Sequence, residues 1–65
     1  EGRAKVVAHD LKEGLIDKDG NELIPPIYDE VRYDERSGNS MVRLNNSWTL
    51  FDYQGIQIND WQDED

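Results

Sequence analysis

Gly14-Leu15-Ile16-Asp17-Lys18-Asp19-Gly20-Asn21-Glu22-Leu23-Ile24-Pro25-Pro26-Ile27-Tyr28-Asp29-Glu30-Val31 is the stretch on which the fold turns. Leu15, Ile16 and Asp17 make a short run bounded by glycine, too short for a helix and of the length of a strand. Lys18-Asp19-Gly20 ends in the glycine that a three-residue hairpin loop places in the left-handed region. A return strand follows over residues 22–24. Pro25 and Pro26 lack backbone donors and fix φ, so the strand is expected to stop after Ile24 and the chain to turn there. Ile27, Tyr28 and Val31 then fold back over the hairpin as a lid on a small core.

The rest of the chain reads the same way. Gly14, Gly20, Pro25, Pro26, Gly38 and Gly55 interrupt every window long enough for a stable helix. Strands are expected near residues 4–8, 14–17, 22–24, 40–44, 47–52 and 56–58. Asn45-Asn46 makes a two-residue hairpin loop, because asparagine tolerates the positive φ that a type I′ turn needs twice. Tyr53-Gln54-Gly55 is a second three-residue loop. Laid on itself at an offset of about 35 residues, the chain matches Val6-Val7 with Met41-Val42 and Leu15-Ile16-Asp17 with Leu50-Phe51-Asp52. Gly20 falls on Gly55 and Leu23 on Ile58. A period of this size marks stacked supersecondary units, none of which buries its apolar face alone.

The quoted stretch resembles the WG repeat, whose pattern runs Trp-Gly-Leu-Ile-Asp, a glycine turn, a short strand, then Ile-Pro-Pro-x-Tyr-Asp. The first copy has Glu13 where the tryptophan is expected; the second has Trp48 but Thr49 in place of the glycine. The second copy also lacks the Pro-Pro-x-Tyr-Asp tail and ends in Asn59-Asp60-Trp61-Gln62-Asp63-Glu64-Asp65. The resemblance implies a β-rich repeat, usual in longer arrays of bacterial proteins, with binding or scaffolding roles and no catalytic residue. The expected fold is all-β, a small antiparallel meander of two repeated strand-turn-strand units in one domain. Unit one spans about residues 4–33, unit two about 39–58, and an acidic, disordered tail follows at 59–65, with Trp61 the exception in it, expected to dock on the sheet or else to anchor a partner.

The expected core is Val7, Leu15, Leu23, Ile27, Tyr28, Val31, Val42, Leu44, Trp48, Leu50, Ile56 and Ile58. Alternation along the strand puts Trp48, Leu50 and Asp52 on the core face, leaving Ile16 and Phe51 on a partly exposed one. Trp48, Phe51, Tyr53 and Trp61 are the candidate partner-binding residues, aromatics of the kind enriched at contact sites.

At 65 residues, folding removes only about 60% of the unfolded chain's surface from water. There is no cysteine, so neither disulfide nor thiolate metal site helps. Net charge is −8, a field that repels phosphate backbones and anionic headgroups, so nucleic acid and membrane are not the expected partners. No stretch approaches the roughly 18 to 20 apolar residues that span a bilayer. Compartment is not legible beyond the bacterial setting that the resemblance implies.

Several motifs imitate chemistry. Asp17-Lys18-Asp19-Gly20-Asn21 copies the opening of an EF-hand loop, but Glu22 stands where the bend needs glycine and Tyr28 where a bidentate glutamate belongs. Aspartate and glycine serve a hairpin there. His9, the only histidine, has no cysteine to share a zinc with and no triad spacing, and reads as an exposed strand-end residue. Asn45-Asn46-Ser47 fits the glycosylation acceptor pattern but already serves the turn. Carboxylate pairs abound among 15 acidic residues, yet a sheet this small offers little cleft for them. No metal, cofactor or enzymatic activity is therefore expected.

The expected function is a non-catalytic binding or scaffolding module that contacts protein or glycan. The alternative is a small acidic inhibitor or immunity-type protein covering a basic target, whose binding would weaken steeply with salt. An excised repeat fragment without a function of its own is the third reading. Self-association is also expected, by edge pairing of strands at residues 4–8 and 56–58 or through the Ile16 and Phe51 face.

Overall fold

The computed structural model describes residues 2–63. Among them there is no helix. Seven strands form: β1 (Arg3–Val7), β2 (Glu13–Asp17), β3 (Glu22–Tyr28), β4 (Glu30–Tyr33), β5 (Ser40–Leu44), β6 (Ser47–Phe51) and β7 (Gln62–Asp63). They pair antiparallel in two sheets, β1-β2-β3 and β4-β5-β6-β7, with every neighbour sequential. This is the expected all-β meander, divided between two layers. Asp29 alone separates β3 from β4, so the sheets meet at a one-residue corner.

The turns form as their residues dictate. Asn45 and Asn46 have φ of 53° and 68°, and the hairpin they close pairs Leu44 with Ser47. The two glycine turns are copies of one another. Asp17 Oδ1 accepts the N–H groups of Asp19 (2.9 Å) and Asn21 (2.8 Å), while Gly20 donates to the Asp17 carbonyl. Thirty-five residues on, Asp52 Oδ1 accepts from Gln54 (2.9 Å) and Ile56 (3.0 Å), and Gly55 donates to the Asp52 carbonyl. The metal-like run at Asp17 is thus a hairpin whose aspartate caps its own backbone.

Pro25 and Pro26 do not end their strand. β3 runs through both to Tyr28, pairing Leu15 with Ile24 and Glu13 with Tyr28. Between those pairs β2 contributes only Gly14 while β3 contributes Pro25, Pro26 and Ile27, so the prolines sit in a bulge where no ladder donor is required. β3 is also the edge of its sheet, where proline is tolerated. The bulge closes tightly: a Cβ on Gly14 would lie 2.4 Å from the Ile24 carbonyl oxygen. The residues expected to form a lid are instead the end of β3 and the whole of β4. Glu30–Tyr33 pairs with β5, and Val31 lies opposite Val42.

The second unit has only a remnant of the third strand. Ile56–Ile58 is not a strand; Gln57 makes a single bridge to Phe51. Beyond it the expected disordered tail pairs instead, Gln62 with Trp48 and Asp63 with Ser47. The rest of that tail, Glu64 and Asp65, lies outside the described residues.

Leu15, Ile24, Val31, Val42 and Phe51 are the buried apolar residues, with Leu23, Tyr28 and Tyr33 packed on them. Val7, Ile27, Ile56 and Ile58 are exposed rather than in the core; Leu44, Trp48 and Leu50 are half-buried. Alternation on β6 has the opposite phase to the expected one, since Thr49 and Phe51 face inward. The partner strand decides this. Phe51 and Thr49 share a face with Val42 and Val31, whereas Trp48 and Leu50 share one with Arg43, Arg32 and Glu30, charges that cannot be buried cheaply.

Gly20 and Gly55 have nearly the same φ, +85° and +84°, yet a Cβ on Gly20 meets nothing within 4 Å and one on Gly55 lies 2.2 Å from the Leu23 carbonyl oxygen. Gly20→Ala should cost about 1 kcal/mol, the left-handed strain alone. Gly14→Ala and Gly55→Ala add a backbone clash and should cost about 3 kcal/mol or more. Urea unfolding of the three variants checks the ordering, and equal losses at Gly20 and Gly55 would contradict it.

Candidate functional site

The second sheet presents one face to the core and the other outward. Cross-strand pairing sets the outward rows as Arg32-Met41-Leu50 and Glu30-Arg43-Trp48-Gln62. Glu30 organises the charged part. Its Oε2 takes the Arg32 Nε at 2.7 Å, and its Oε1 lies 3.5 Å from the Arg43 Nε. Both guanidiniums lie over the Trp48 ring, with Cζ 5.3 Å (Arg32) and 5.9 Å (Arg43) from its centroid. Each such stacking at a solvent-exposed site contributes about 0.5–1 kcal/mol. The indole is thereby held in one orientation. The hydrogen bond from Arg32 is the main reason the Glu30 carboxyl is held below its ordinary value.

Two hollows open on this face and share Met41 and Leu50. One, of about 350 Å³, is lined by Arg32, Tyr33, Met41 and Leu50, with Asp34, Ser37 and Asn39 supplying polar groups. The other, of about 180 Å³, lies between Met41, Trp48, Leu50, Thr49, Asn59 and Gln62. The polar rim is built by the loop between β4 and β5. Asp34 accepts from the Arg36 N–H and the Ser37 hydroxyl, and its carbonyl accepts from Gly38. At the other end the Thr49 hydroxyl is 2.8 Å from the Asn59 carbonyl and 2.6 Å from its Oδ1, donating to one of them, while that Oδ1 also accepts the Leu50 N–H. Among the described residues no group of three His, Cys, Asp or Glu converges in a metal-binding arrangement. What the face offers is apolar contact with a few fixed polar groups around it.

The four aromatics singled out in the sequence are not brought together. Trp48 is on the outward face. Phe51 is only 7% exposed and packs edge-on against Tyr28, ring centroids 5.8 Å apart, so it belongs to the core and offers no contact surface. Trp61 docks on the same Tyr28 at 6.2 Å, leaving 37% of it exposed. Tyr53 is exposed in the second glycine turn, and its carbonyl accepts from the Arg3 Nη2. His9 is exposed in the turn after β1. Met41, Leu50, Arg32 and Arg43 complete the face around Trp48. The two-residue Asn45-Asn46 turn carried the signal for all but Arg32, because it places Arg43 opposite Trp48 and Met41 opposite Leu50.

The corner at Asp29 holds the face in place. Its carboxylate pairs with Lys12 Nζ and accepts the Asn45 N–H at 2.9 Å, and its own N–H donates to the Arg43 carbonyl. Lys12 first, then the Asn45 N–H, hold its carboxyl below the ordinary value, against a smaller opposing effect of burial.

The model of the family described as WG containing repeat matches residues 14–48. That segment is 35 of the chain's 65 residues, from the glycine under the proline bulge to the tryptophan of the outward face. No curated protein and no solved structure matches the chain.

Asp17, Asp29 and Glu30 all have lowered carboxyl values in the folded state. A lowered value stabilises the fold above the unfolded-state carboxyl range of about 3.9–4.3, and that contribution disappears as pH falls through the folded value. Thermal stability should therefore be flat near neutrality and drop below about pH 4. Asp29→Asn should be less stable at neutral pH and converge on the native chain in acid, as read by melting curves across pH. Parallel profiles down to about pH 2.5 would show that Asp29 does not carry this effect.

Proposed function

We propose that this chain, which belongs to the WG containing repeat family, is a non-catalytic binding or scaffolding module that contacts protein through the outward face of its second sheet. The observation that supports the reading is the pair of hollows joined at Met41 and Leu50 beside a tryptophan clamped by two arginines. Ring orientation and a pre-formed rim lower the entropy lost on contact, which favours a binding role for a rigid aromatic anchor. The face is open and shallow, a shape suited to another protein surface more than to a small substrate. Sugar recognition through exposed aromatics remains a narrower case of the same module.

Affinity capture with the native chain and three variants tests this reading. Met41→Glu places a charge between the hollows, and Trp48→Ala removes the anchor; each should weaken partner binding at least ~10-fold. Tyr53→Ala, in the second turn, should leave binding unchanged. Loss with Tyr53→Ala and retention with the other two would move the contact surface off this face.

A further inference from the structure

The two units obey one structural relation. Val6 pairs with Gly14 as Val42 pairs with Thr49, and Ala4 pairs with Ile16 as Ser40 pairs with Phe51, so β1 corresponds to β5 one residue away from the 35-residue match and Val6, not Val7, is the counterpart of Val42. The inward row of the second unit, Ser40, Val42 and Phe51, is buried. Of the counterparts in the first unit, Gly14, in the place of the buried Thr49, lies under the Ile24–Pro26 backbone, but Ala4 is exposed, and Val6 and Ile16 are half-buried. The surface on which the second unit rests shows the converse. Leu15 is covered in the core with Val31, Val42 and Phe51, whereas its counterpart Leu50 is only half-buried and lines both hollows. The glycine turns agree. Gly55 is seated against the Leu23 carbonyl, while Gly20 faces open space, and Ile58, the counterpart of Leu23, is half-exposed. Unit one thus carries an unused copy of the surface by which unit two docks, and unit two carries an unused copy of the surface that receives it.

We propose that the chain associates head to tail with a second copy of itself, the Ala4, Val6 and Ile16 face of one copy seated on the Met41, Leu50 and Trp48 face of the next. The proposal rests on the reading that the outward face is a contact surface, and it names the occupant. The contact already present between the two units sets the polarity, since the inward row of β5 and β6 rests on the Leu15 side of the first unit and Leu50 is the counterpart of Leu15. A contact between two different surfaces leaves a free head and a free tail, so association is open-ended. The net charge of −8 opposes it until salt screens the copies from one another.

Sedimentation at millimolar concentration in about 1 M salt, where the Debye length is about 3 Å, tests the proposal. The native chain should exceed dimer mass as concentration rises. Ala4→Glu blocks the head and Met41→Glu the tail; both positions are exposed, and circular dichroism confirms that each variant is folded. Each alone should be monomeric, and an equimolar mixture should form a dimer and nothing larger, because only one head and one tail remain intact. A monomeric native chain, single variants that associate like the native chain, or a mixture that stays monomeric would each overturn the proposal. If the mixture stays monomeric while Met41→Glu still loses a captured foreign protein, the occupant is wrong and the contact face stands. If Met41→Glu loses nothing, the face itself is wrong.

Discussion

The passage of the Ile24 carbonyl across Gly14 is the constraint on which the rest of the structure depends. No side chain fits between them, since a Cβ would stand 2.4 Å from that oxygen and 2.8 Å from the backbone of Pro25 and Pro26. Because the strands come this close, β3 can bulge without leaving its sheet, and the bulge is where two residues without N–H donors can be housed. Its far end then brings Tyr28 opposite Glu13, and one residue later the chain turns into the second sheet. Glu13, standing where a tryptophan would be expected, accepts the Val31 N–H at 2.9 Å and pairs with Lys5. A carboxylate thus ties the first sheet to the second at the start of β4.

The second unit solves the same problem with different chemistry. Thr49 occupies the place of Gly14, and its branched side chain denies the backbone the close approach. No continuous third strand forms. Asn59 takes over part of that role, accepting the Leu50 N–H through its side chain while Gln57 bonds both Thr49 Oγ1 and the Asn59 carbonyl. Strand pairing resumes only at Gln62.

This difference also opens the outward face. In unit one the equivalent leucine is covered by the neighbouring sheet; in unit two Leu50 is only half-buried and lines both hollows, and Trp48 lies under Arg32 and Arg43. Sites of contact and gaps in packing coincide in a repeat, since each unit has a surface shaped for a neighbour. Asp29 sets how the two layers meet, joining Lys12 from the first sheet's loop to the Asn45 turn of the second through one carboxylate.

The sequence by itself determined five of the seven strands, all but β4 and β7, and the three tight turns, because each rests on short-range chemistry: positive φ at Asn45, Asn46, Gly20 and Gly55, aspartates capping their own loops, and apolar runs too short for helices. It also contained the register of the Asn45-Asn46 hairpin, and with it the row that joins Trp48 to Arg43. What only the tertiary structure decided was which side of each strand faces inward and where chain segments touch. Local alternation favours Trp48 and Leu50 over Thr49 and Phe51 as core, and long-range pairing with Val31 and Val42 reverses that choice. The prolines read as a stop because their missing donors are a local property, while the edge position of β3 is a property of the whole sheet and the glycine that accommodates them lies in β2. That Trp61 would leave the acidic tail for the sheet followed from its lone apolar ring, but its partner, Tyr28, lies 33 positions earlier and no local rule connects the two.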